Sequence, residues 1–504
     1  MRSGYDPKAI EAKWQERWQR QRTAEIDLRH AQAKELLLVA AARPQEGHRP
    51  EDRQEAGPGR IEVLGDTLFR FLRMNGRRVL SPVVSGRREK LRPWGLLHDW
   101  TKEVDRGAPE LQRWSQWLFL RMLEKDLAYQ DGGQWFFRIT AHADRLLSGL
   151  AALAGWPESV KAAQRHWLTA HLRDWWISRP GSGWTPIPVA GGGAMDAGVE
   201  ASWAYLRHLS PRDASRLVDP EAARRWLPVD HYLCGVEGHT LRLLHARFLC
   251  RVLHDLGCVA VEEPFSSVVV VTPLRRRAAV KETATSPGAD AARVYALFVG
   301  PPEKEAEWSG EAVAGAHRFL EQVWRIGERL HGAPPIAPAD GALERERHAA
   351  IERVTRSLKG FRFNTAVPAL MRLANKLSRA LEEQTASRLR CEEAFDTLLQ
   401  LLHPLAPHIT EELWERRDHV ETLLDSSWPE YDEGKLRRAR IELVVQVDGK
   451  LRDRVEVDAE ATEKEARAAA MASPNVEEHL AGREVAKAVF VPGRLINLVT
   501  RRSA

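Results

Sequence analysis

Residues 55–82 read EAGPGRIEVLGDTLFRFLRMNGRRVLSP. A Gly-Pro loop gives way to a helix with Leu64, Leu68, Phe71 and Leu72 at helical spacing, and Asn75-Gly76 stops it. An apolar strand, Leu36 to Ala41, precedes the loop. Strand, loop, helix and strand in this order predict the first unit of a parallel α/β sheet. A loop that opens a helix can hold a phosphate, because the first-turn N–H groups are unpaired and the dipole is positive there. Whether this loop still carries side chains for phosphate chemistry decides what the chain can do.

A length of 504 residues exceeds one core and implies about three or four domains. With 43% hydrophobic and 29% charged residues the composition is that of a soluble globular protein. No apolar run approaches the roughly 20 residues of a membrane span, and the N-terminal MRSGYDPKAIEAKWQERWQR has no apolar leader core. A cytoplasmic chain without a membrane partner is therefore expected. The net charge of +5 permits a nucleic-acid partner without demanding one. Cys234, Cys250, Cys258 and Cys391 are scattered, which predicts buried thiols, no disulfide framework and no metal site.

Helical and strand-like segments alternate through the first part of the chain. Residues 43–60 and 178–201 read as loops rich in Pro and Gly, Leu111 to Gln130 as a helix, and Ser266 to Val271 as a buried parallel strand. From about residue 305 the pattern becomes helical only, as in an antiparallel bundle. IELVVQVDGKLRDRVEVD, from Ile441, predicts a hairpin around Asp448-Gly449, followed by a helix at Glu463 to Met471 and more strand. The expected division is 1–304, 305–436 and 437–504.

DPKAIEAKWQERW, QRWSQWLFLRMLEKDLAY, WFFRITAHADRLL, WPESVKAAQRHWL, LPVDHYLCGVEG, GADAARVYALFVGPPEKEAEWS, HPLAPHITEELW and VQVDGKLRDRVEV occur in this order. Together they resemble bacterial leucyl-tRNA synthetase, over nearly the whole span from Tyr5 to Val499. The resemblance implies an α/β fold: a class I Rossmann-like catalytic domain, an anticodon-binding-type helical bundle and a small α+β tRNA-binding domain. It also implies tRNA, leucine and ATP with magnesium as ligands of an active member, most simply as a monomer.

The departures bear on chemistry. Where the family carries an HxGH loop, ungapped counting places Glu55-Ala56-Gly57-Pro58, a carboxylate and a residue without an N–H. The alternative register offers His48, after Gln45-Glu46-Gly47. The lysine-rich KMSKS loop is replaced by TPLRRRAAVKETATSPGAD, leaving Arg275, Arg276, Arg277 and Lys281 as candidate phosphate cations. Gly57, Gly235 and Glu237 are the expected nucleotide-side positions, yet Gly238 stands where the family has a histidine and His239 comes one residue late. DAGVEASW resembles the leucine-pocket block DTFMESSW, which nominates Asp196, Glu200, Ser202 and Trp203 in a widened pocket. Gln130-Asp131-Gly132-Gly133 replaces the zinc-binding segment, and the editing domain expected after Leu168 is replaced by a short link into LRDWWISR.

Strand alternation places Lys450, Arg452 and Arg454 on one sheet face, a candidate RNA-backbone surface. Three functions fit the sequence. The first is a catalytically degenerate, tRNA-binding or accessory protein. The second is a leucine–tRNA ligase with relocated phosphate ligands, and the third is an aminoacyl transferase in a biosynthetic pathway.

Overall fold

The computed structural model describes residues 4–29, 32–40, 59–84, 86–105, 107–178, 185–275, 287–330, 341–436, 440–458, 461–480 and 483–502. Its centre is a parallel sheet in the order Arg78–Leu80, Lys34–Ala40, Val229–Gly235, Phe265–Val271. Side chains alternate across the first strand, so the sheet is buried on both faces. Leu36 and Leu38 join a core with Leu118, Phe248 and Leu249. Leu37 joins a second core with Val63, Leu64 and Phe71 of the opening helix, Arg60–Met74. That second core continues into the helical bundle through Leu320, Leu370, Leu402 and Ile409.

The opening helix stops where the sequence predicts, with Asn75 as its C-cap and Gly76 left-handed at φ 75°. The helix predicted to run to Gln130 ends earlier, at Glu124. Asp126 adopts φ 56° and turns the chain into a strand at Ala128. That strand forms a hairpin with Gln134–Phe137 through Gly132 and Gly133, both left-handed, at the position where a zinc segment is absent from the sequence. The helix Glu158–His166 runs into a π-turn, Trp167–His171, and directly into Trp175–Trp176, which pairs with Phe136–Phe137. A continuous path of packed backbone therefore closes the point of the expected large insertion.

Beyond the sheet domain the described residues form a bundle that includes the helices Gly310–Leu330, Gly341–Lys359, Phe363–Glu382, Arg388–Leu402 and Pro407–Glu415. The N-terminal helix, Pro7–Arg20, is bonded to the last of them: Trp14 Nε1 donates to Glu412 Oε2 at 3.1 Å, and Arg17 pairs with Glu415 at 2.6 Å. The C-terminal sheet has its own core of Leu443, Val445, Val447, Ala466, Val476, Ile496 and Leu498. Its hairpin turns at Asp448 and Gly449, both with positive φ, as an Asp-Gly turn requires.

The one-face expectation for Lys450, Arg452 and Arg454 is corrected here. The register shifts between Val445 and Gln446, so Arg454 pairs with Val444 while Lys450 pairs with Val447. Opposite partners share a face, and Val447 is buried. A bulge at Arg452 thus breaks the alternation, and Leu451, 55% exposed, takes the outer face beside Arg454. Among the described residues no helix is long and apolar enough to cross a membrane.

Candidate functional site

The first strand pairs with Arg78–Leu80 on one side and Val229–Gly235 on the other. Strand order reverses between these neighbours, and the crevice beyond their carboxyl ends is where an open α/β sheet takes a ligand. Two helices start at it. The opening helix begins at Arg60 behind Gly59, and the crevice helix, His239–Asp255, begins behind Gly238. Among the described residues neither N-cap residue bonds its helix's first turn through a side chain, so the positive end of each helix dipole lies at the crevice.

The side chains around these helix ends are largely committed to the protein. Gly235 is buried at the end of its strand, in register with Val271. Glu237 is exposed in the turn, and Gly238 is left-handed at φ 62°, a conformation that explains glycine at this position. His239 folds back, its Nδ1–H donating to the Val236 carbonyl at 2.6 Å. Arg275 is at the surface, paired with Glu305 at 2.8 Å. Glu62, in the first turn of the opening helix, is a buried carboxylate held by Arg87. His48, Gly57, Arg276, Arg277 and Lys281 lie outside the described residues, as do Glu55 and Pro58.

Arg60 was not singled out by sequence reading. Its guanidinium collects the carbonyls of Gly300 at 2.6 Å, Pro301 and Lys304 at 3.0 Å, Ala296 and Pro302 at 3.3 Å, and Thr272 at 3.4 Å. It thereby ties the start of the opening helix to the ends of the segment that carries the candidate cations. No local pattern marks such a residue, because every partner is more than 200 positions away.

The four residues nominated for an amino-acid pocket lie on or at the cap of one short helix, and their described contacts serve the fold. Asp196 caps the helix Ala197–Trp203, Oδ1 accepting from Gly198 N at 2.6 Å. Glu200 is buried and accepts from Thr185, while Ser202 Oγ donates to Gly198 O at 2.7 Å. Trp203 is fully buried, with Nε1 donating to Ser115 Oγ. Beside this helix Trp175 stacks on His245 at 3.6 Å and 11°. His245 in turn lines a cavity of about 260 Å³ with Ile139, Trp167, Leu172, Leu241 and Leu244. The aromatic-histidine pair was also missed; the adjacent tryptophans of DWWISR were its only signal. Cys234, at the strand end, is pushed up to about 12 by burial, which keeps the thiol neutral and unreactive.

Residues 340–467 match the anticodon-binding domain of tRNA ligase. The leucine–tRNA ligase of Petrotoga mobilis is 35% identical over 356 residues, 64% of this chain and 43% of that protein. That of Geobacter sp. (strain M21) is 37% identical over 327 residues, 60% of this chain and 40% of that protein. The chain spans about two fifths of the length of these curated relatives. Among solved structures, Agrobacterium radiobacter K84 agnB2 LeuRS in ternary complex with tRNA and LeuAMS superposes with a TM-score of 0.79 at 22% identity, covering 99% of this chain and 100% of that one. Mycobacterium tuberculosis methionyl-tRNA synthetase bound by methionyl-adenylate gives 0.57 at 18% identity, covering 76% and 94%.

Proposed function

We propose, from the premise that the chain is a homologue of the leucine–tRNA ligases on a class I synthetase fold, that it binds tRNA and has lost efficient amino-acid activation. One observation carries this reading. The crevice keeps its uncapped helix ends, while the described side chains at its rim are spent on protein partners or carry negative charge. Adenylate formation needs donors aimed at the charge that develops on phosphate, each worth roughly 2.7–4 kcal/mol. Among the described residues Arg275 is paired with Glu305, His239 Nδ1 with the Val236 carbonyl, and Glu62 with Arg87. The match of residues 340–467 to an anticodon-binding domain supports tRNA as the partner. Filter binding with total tRNA is expected to give salt-dependent affinity, and leucine-dependent ATP–pyrophosphate exchange is expected to be at background. Robust exchange overturns the degenerate reading; absence of tRNA binding at low salt overturns the partner.

The uncapped helix ends favour one second reading, an active leucine–tRNA ligase whose phosphate cations are His48 and the arginines of 275–277. In that case Arg276→Ala abolishes leucylation that the unaltered chain performs.

A further inference from the structure

A second cavity, of about 370 Å³, lies between the end of the N-terminal helix and residues 88–101. Four guanidinium groups line it, from Arg22, Arg88, Arg92 and Arg212, against a single carboxylate, Glu25. All four arginines are exposed. Arg22 is the one near Glu25, at 3.8 Å, and Arg88 lies over the Trp100 ring at 4.8 Å. This stack gives the cavity a flat cationic wall. Ala24, Leu96 and Leu97 supply a buried apolar floor.

The floor is held rigidly. Asp99 N donates to Ser81 O at 2.9 Å, and its carboxylate accepts from Ile26 N at 3.2 Å and Thr101 N at 3.0 Å. Gly95, left-handed at φ 66°, lets the backbone approach His408 so closely that a Cβ would fall 2.4 Å from the ring. His98 also lines the cavity and is only 4% exposed. Its Nδ1 is 3.2 Å from Ser81 Oγ, and its Nε2 has no partner among the described residues.

We infer that this cavity binds a phosphate ester of mononucleotide size, its phosphate on the arginine forks and its flat part along the Trp100 wall. Guanidinium forks match phosphate geometry with paired hydrogen bonds, and the volume falls within the range of small-molecule sites. Its lining shares no residue with the crevice rim described above.

Isothermal titration of the full chain with AMP, and separately with adenosine, tests it. AMP is expected to bind at least about tenfold more tightly than adenosine, the value of one charged hydrogen bond. The double variant Arg92→Ala/Arg212→Ala is expected to lose AMP affinity by about tenfold or more. Both positions are exposed, so its circular-dichroism melt should match the unaltered chain, and Arg92→Lys should keep intermediate affinity. Equal binding of adenosine and AMP, no binding at millimolar AMP, or AMP binding unchanged in the double variant overturns the inference. The last outcome would assign AMP to the sheet crevice instead.

Discussion

Arg60 spends one guanidinium on carbonyls from 272 to 304, and no other described side chain gathers so many separate backbone segments. Arg60→Met would leave buried carbonyls without donors, at about 1–3 kcal/mol for each that cannot rewet. Urea denaturation should register a loss of at least about 2 kcal/mol, and Arg60→Lys should not restore it, because an ammonium is a point charge rather than a fork. At this scale the sequence was legible where the cause is local. Asp448-Gly449 announces its turn because only residues tolerant of positive φ fit there. Arg452 was misread because a bulge depends on the partner strand, which alternation within one segment cannot show. Arg60, Trp175 and His245 were invisible for the same reason, their meaning lying in distant partners.

Between elements, the opening helix is joined to the helix Ala289–Phe298 and to the bundle by buried charges. Asp66 accepts from Arg70 at 2.8 Å and from Arg293 at 2.6 Å, and Arg293 also donates to Pro404 O at 3.0 Å. Asp290 bonds His408 at 2.7 Å and Ile409 N at 2.8 Å. Burial alone would raise the Asp66 carboxyl, but Arg70 and Arg293 outweigh it and hold it down at about 2. Its folded value lies below the ordinary ~3.9, so its contribution is complete above that pH and is lost as pH falls toward 2. Asp66→Asn should cost about 3–5 kcal/mol at pH 7 by stranding two arginines, with a smaller penalty near pH 3. Glu11 behaves oppositely. Burial, then the neighbouring Asp290, pushes it up to about 8, against the lowering effect of the Ala289 and Asp290 N–H groups. The folded state keeps a proton that the unfolded chain releases near ~4.3, so stability is lost as pH rises from there toward 8. Glu11→Gln should therefore gain melting temperature relative to the unaltered chain as pH rises from 5 to 8. Helical periodicity gave these helices, while the charges linking them are written as ordinary polar positions, since their pairing is long-range.

At the scale of the molecule there are two kinds of junction. Residues 440–498 pack around their own apolar cluster, whereas the sheet domain and the bundle share one. A chain ending at Leu436 should melt within a few degrees of the full chain, because the core it keeps is intact. Its tRNA affinity should fall with a shallower salt slope, having lost phosphate contacts such as those offered by Arg454. The α/β, helical and α+β order was legible from the change of hydrophobic period along the chain, but the shared core was not, since period says nothing about which faces meet. The buried Asp66–Arg293 pair and the Asp290–His408 contact both cross that shared core. Bending between sheet and bundle would part buried polar partners with no water at hand to replace them, so the contacts oppose a hinge at this junction.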